Sequence, residues 1–136
     1  MPRCAPQAAP SRAARALLAG AALLAAWSAA AQTSRPFPAN ALRGTLVITQ
    51  PPDATLNGEA ARLSPGSRIR GADNLIKLSG QLAGQSLLVH YTREPSGLLH
   101  DVWILTADEA AKRPWPTTAE EAQRWRFDPA SQTWTR

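Results

Sequence analysis

The chain predicts a small, mainly β protein, an antiparallel barrel or sandwich of OB-like or SH3-like type with one or two short helices at its C-terminal end. Three observations carry this expectation. Short β-branched and apolar runs recur between residues 42 and 105, turn residues interrupt them about every ten positions, and helix-start patterns occur only after residue 105. Closing such a sheet removes the exposed edges that invite pairing with other chains.

The elements follow in order. Leu46-Val47-Ile48-Thr49 is a strand stopped by Pro51-Pro52. Asn57-Gly58 sits between Ala54-Thr55-Leu56 and Glu59-Ala60-Ala61-Arg62-Leu63, and both residues tolerate positive φ, so a tight hairpin is expected there. Ser64-Pro65-Gly66 reads as a further turn, followed by Ser67-Arg68-Ile69-Arg70 alternating as an exposed edge strand would. Asn74 to Leu78 makes a short strand or bridge, and Gly80 and Gly84 bracket a loop or bend.

Ser86 to Thr92 and Leu98 to Leu105 are the best strands, and the Arg93-Glu94-Pro95-Ser96-Gly97 connection predicts that they pair antiparallel. Thr106-Ala107-Asp108-Glu109 fits a capping box and predicts a helix from Ala107 to Lys112. Thr118-Ala119-Glu120-Glu121 repeats the pattern and predicts a second helix reaching Trp125. Asp128-Pro129-Ala130-Ser131 then turns the chain between two aromatic-bearing arms.

Residues 1–31 read as a cleavable export signal. Arg3, Arg12 and Arg15 form a basic head, Ala16 to Trp27 an apolar run, and Ser28-Ala29-Ala30-Ala31 supplies small residues for a cut between Ala31 and Gln32. The apolar run is shorter than the roughly 20 residues a membrane-spanning helix needs, so no transmembrane segment is expected after cleavage. The organisation that follows is an extended lead-in over 32–41, a small β domain over 42–112, and a Pro/Trp-rich segment with a short helix over 113–136. Periplasmic or secreted localisation is the expectation.

Cleavage changes the chemistry available. The chain has 15 Lys+Arg and 10 Asp+Glu, and three arginines but no acids lie before residue 31, which leaves a net charge of +2 afterwards. So small a charge argues against a nucleic-acid partner. The single cysteine, Cys4, is removed as well, so no disulfide or cysteine ligand is expected in the exported form.

Leu42-Arg43-Gly44-Thr45-Leu46, the stretch from Ala61 to Arg70, and Val102-Trp103-Ile104-Leu105-Thr106 resemble a group of uncharacterised small exported bacterial proteins. The resemblance implies an exported single domain and brings no activity or site residues.

Two places can hold chemistry. If Thr92 pairs with Leu98, His90 falls opposite His100, and with Cβ atoms about 5 Å apart both imidazoles are able to reach one Cu, Ni or Zn ion, with Asp73 or Glu94 as a third ligand. A slip of one residue sets His90 against Asp101 instead. The other place is a partner surface built from Arg68 and Arg70, or from Trp115, Trp125 and Trp134 among C-terminal arginines. Trp and Arg lead the residues that dominate interfaces, so an envelope protein or cell-wall component is the expected partner.

Catalysis finds little support. No serine lies in a Gly-x-Ser-x-Gly elbow, and Asp108-Glu109 and Glu120-Glu121 are explained as acids in first helical turns. No resident cofactor is expected.

Overall fold

Alternation of inward and outward side chains along five strands closes them into a barrel, as a computed structural model of the chain shows for the residues it describes, 34–136. The five are β1 (Leu42–Ile48), β2 (Asp53–Leu56), β3 (Glu59–Arg70), β5 (Ser86–Arg93) and β6 (Leu99–Ile104), with the short β4 (Ile76–Lys77) between β3 and β5 in the chain. Two helices, α1 (Ala107–Ala111) and α2 (Ala119–Arg124), and the hairpin β7 (Arg126–Asp128) and β8 (Thr133–Thr135) follow. The export segment expected over 1–31, with its expected cut between Ala31 and Gln32, lies outside the described residues.

The ring runs β1, β2, β3, β6, β5 and back to β1, with β4 appended to β3. Five strands in this Greek-key order are the OB-like arrangement of the two barrels expected. One expectation is corrected here, because the sheet is not antiparallel throughout: β3 and β6 run parallel. That pairing makes the second half of β3 an internal strand flanked by β4 and β6, not the edge expected for residues 67–70.

The hairpin at Asn57-Gly58 forms as expected, with φ of 52° and 81° at its two central residues. Asn57 also fastens the turn to β1, since its Oδ1 accepts from the Thr45 amide at 2.9 Å and its own amide donates to the Thr45 carbonyl at 2.8 Å. Gly44 allows that approach: a Cβ there would lie 3.0 Å from Leu56 Cδ1 and 3.1 Å from the Asn57 side chain.

The turn expected at Ser64-Pro65-Gly66 is instead an irregular stretch inside β3. Glu59 to Arg62 pair with β2, Leu63 already pairs with β6, Arg68 to Arg70 pair with β6 and the last two of them also with β4, and the register shifts between Leu63 and Arg68. A long strand curling round a small barrel must change partner, and Pro65 sits in the shift, where no ladder hydrogen bond is required of it.

Leu46, Ile48, Leu56, Leu63, Val89, Tyr91, Leu99 and Val102 fill the interior, all buried. A second cluster lies on the outer surface of β1, β5 and β6. Phe37, Ala41, Trp115 and Trp134 form its buried centre, with Trp103, Trp125 and Phe127 packed against them. Residues 35–41 carry no regular structure, yet Phe37 is only 5% exposed and its amide donates to Gln132 Oε1 at 2.8 Å, so this lead-in is part of the packing. Arg35 to Arg136 make one compact unit.

Both helices begin at the expected threonines. Thr106 and Glu109 complete a capping box, whereas Thr118 accepts from the Glu121 amide while the Glu121 carboxylate turns to Thr117 instead. Among the described residues no helix is long and apolar enough to cross a membrane.

Candidate functional site

The outer face of the barrel takes its character from one row of paired residues. On β5, Val89 and Tyr91 point inward, so His90 points outward. The register sets His90 beside Arg43 of β1 and Trp103 of β6, and Trp103 beside Arg70 of β3.

The histidine pair expected across the β5 and β6 hairpin therefore does not form. His90 is opposite Trp103, not His100 or Asp101, because the hairpin pairs Arg93 with Leu99 instead of Thr92 with Leu98, and its register shifts once more between Tyr91 and Arg93. His100 stays half exposed, with its Nδ1 3.1 Å from Glu94 Oε1. Asp73 is bound to Lys77 at 2.8 Å. No cluster of three or more His, Cys, Asp or Glu suited to a metal occurs among the described residues.

His90 is fully buried instead. The Trp115 ring stacks on it at 4.0 Å between centroids, and Phe37 meets it edge-on at 4.4 Å. Arg43 Nε donates to its Nε2 at 3.2 Å, which leaves the ring proton on Nδ1. Burial above all, with the Arg43 and Arg35 charges, pushes its pKa down to about 2, so the ring is neutral.

Arg43 is a strut at the centre of this layer. Its remaining donors reach the carbonyls of Glu109, Ala110 and Lys112 at 2.9 to 3.2 Å, where α1 ends. Carbonyls at a helix C-terminus lack intrahelical partners and carry partial negative charge, so a guanidinium suits them. Desolvation and then the Arg113 charge lower the Arg43 pKa, and Glu109 opposes them.

Arg35 supplies a second strut. It forks onto the Glu109 carboxylate at 3.0 and 2.6 Å and donates to the carbonyls of Gly71 and Ile104. Burial raises the Glu109 pKa, but the Arg35 and Thr106 hydrogen bonds outweigh it and hold the carboxyl below its ordinary value.

Between this layer and the C-terminal hairpin lies a groove of about 860 Å³. The barrel contributes Leu88 and Arg43 to it, and the connection after α1 contributes Arg113, Pro114 and Trp115. Thr117, Glu121 and Trp125 form the side at α2, and Trp134, Thr135 and Arg136 the side at β8. Its volume falls in the range of roughly 300 to 1,000 Å³ typical of small-molecule sites.

Three of the expected partner residues, Trp115, Trp125 and Trp134, thus line one groove, while Arg68 and Arg70 lie away from it on β3. Trp115 and Trp134 are each 5% exposed, so they serve mainly as walls, and Trp115 Nε1 donates to the Ala41 carbonyl at 3.0 Å. Sequence reasoning missed Arg35, Phe37, Arg43 and Leu88. The outward position of Arg43 in the alternation around Leu42, Gly44 and Leu46 was the available sign.

A small barrel carrying an outer groove is a class of protein rather than an activity, since such barrels host many functions. Comparison with protein-family models, curated proteins and solved structures found no match.

Proposed function

We propose that the chain is an exported, non-catalytic binding protein of the cell envelope, periplasmic or secreted, whose partner is an envelope protein or a cell-wall component seated in the groove. The observation that supports this reading is the groove itself. It is of ligand size and is lined by Trp125, Trp134, Arg113 and Arg136, residue types that dominate binding surfaces. The basic, apolar and small-residue order of residues 3–31 supports export.

Site-specific photocrosslinking tests it. A crosslinking amino acid at Thr135, on the groove, is compared with one at Ala60, an exposed residue of β3. In cells the Thr135 position is expected to capture a defined envelope component that the Ala60 position does not. Equal capture from both positions contradicts the assignment of the groove. Export is checked by the N-terminal residue of the protein recovered from the envelope fraction, expected at or near Gln32.

A further inference from the structure

The charge in the groove is one-sided. Arg113 and Arg136 form no ion pair among the described residues. Arg43 adds a third positive charge, already committed to His90 and the end of α1. Glu121 is the one acid in the lining, and its Oε2 accepts from both the amide and the hydroxyl of Thr117, at 2.9 and 3.2 Å. Counting side chains, the lining therefore keeps two more positive than negative charges, and its acid is turned onto its own helix start.

Arg136 is also placed for its role. Its guanidinium lies over the Trp125 ring, 5.2 Å from the centroid. A guanidinium held over an aromatic face is restrained in position while its N–H donors remain able to meet a bidentate oxyanion. With Arg136 over the ring, that face of Trp125 is no open platform for a neutral sugar. Leu88, 39% exposed although it lies on a central strand, offers an apolar surface in the same groove together with Pro114. An exposed leucine in a groove that also carries arginines is suited to a molecule with both characters.

We infer that the groove binds an amphipathic organic anion, its carboxylate or phosphate held by Arg113 and Arg136 and its apolar body lying on Leu88 and Pro114. This assignment rests on the groove being the binding site and names the chemistry of its ligand.

The test is a titration of the purified protein with hexanoate, hexyl phosphate, hexanol, acetate and inorganic phosphate, followed by Trp fluorescence and calorimetry. Hexanoate, hexyl phosphate or both are expected to bind saturably and at least tenfold more tightly than hexanol or the small ions, with affinity falling as NaCl rises. Preference for hexanoate points to a carboxylate source, and preference for hexyl phosphate to a phosphate ester. Arg113→Gln and Arg136→Gln are each expected to weaken the anion about tenfold, the loss of one charge-assisted contact, without changing the unfolding midpoint.

Equal binding of hexanol, equal binding of the ions without an apolar body, unchanged affinity in both arginine variants, or no saturable binding overturns the assignment. Crosslinking at Thr135 separates the two levels. Selective capture there with failed anion binding leaves the groove as a site and removes the anion; loss of both removes the groove.

Discussion

The interior of the barrel and the layer on its outer face are both buried, but different physics holds them. Inside, Leu46, Ile48, Val89 and Val102 pack through non-directional contacts that ask only for apolar volume at alternate positions. Outside, Phe37, His90, Trp103 and Trp115 meet at defined ring angles, and Arg35 and Arg43 tie carbonyls and a carboxylate from distant segments. The interior sets the strand register, and the outer layer uses that register to build a groove. Loss of the outer layer should therefore remove the groove before it removes the barrel.

Trp115→Ala breaks this comparison most strongly. It removes the stacking partner of His90 and a donor to Ala41, and a cost of about 3 to 5 kcal/mol in urea unfolding is expected, as large as that of Leu46→Ala inside the barrel. An unchanged midpoint would mean that the layer merely coats the surface.

Arg35→Met comes next. It strands Glu109 in a buried site, with an expected loss of about 3 kcal/mol. Glu109→Gln in the same chain should recover a large part of that loss, because an amide retains the capping geometry without the charge. Recovery is read as the difference between the single and double variants.

The pH dependence separates the two layers further. A histidine depressed to about 2 in the folded state takes up its proton more readily when unfolded. Stability is therefore complete above the unfolded value near 6.5 and falls as pH drops below it, by at most about 1.4 kcal/mol per unit. Glu109, also depressed, adds a second loss only below its unfolded value of 4.5. Urea midpoints between pH 7 and 5 are expected to fall in the native protein and to stay nearly flat in His90→Gln, whose interior is unchanged.

The smallest effect belongs to the surface. Asp53 and Arg62 are 3.7 Å apart, with both side chains more than 60% exposed, so Arg62→Ala should shift stability by less than about 0.5 kcal/mol.

The same contrast explains what was legible in the sequence. Alternation and turn chemistry disclosed the barrel, the Asn57-Gly58 hairpin and both helix starts, because each depends on residues close in the chain. The parallel pairing of β3 with β6 and the partner change around Pro65 were not legible, since they depend on how a long strand coils round the ring. The candidate site was half legible. The C-terminal tryptophans announced themselves by composition, whereas Phe37 reaches Gln132 and Arg35 reaches Glu109 across 95 and 74 positions. His90 illustrates the limit most sharply: a register shift of a few residues turns an expected metal ligand into a neutral buried ring beneath Trp115.

The central claim is that the outer layer, not the barrel interior, forms a binding groove. Residue-resolved NMR of the indole N–H groups of Trp103, Trp115, Trp125 and Trp134, during titration with hexanoate and hexyl phosphate, tests it most directly. The Trp125 and Trp134 signals are expected to shift saturably with a common dissociation constant while Trp103, which does not line the groove, stays in place. Equal shifts at all four indoles, or movement of Trp103 alone, would contradict it.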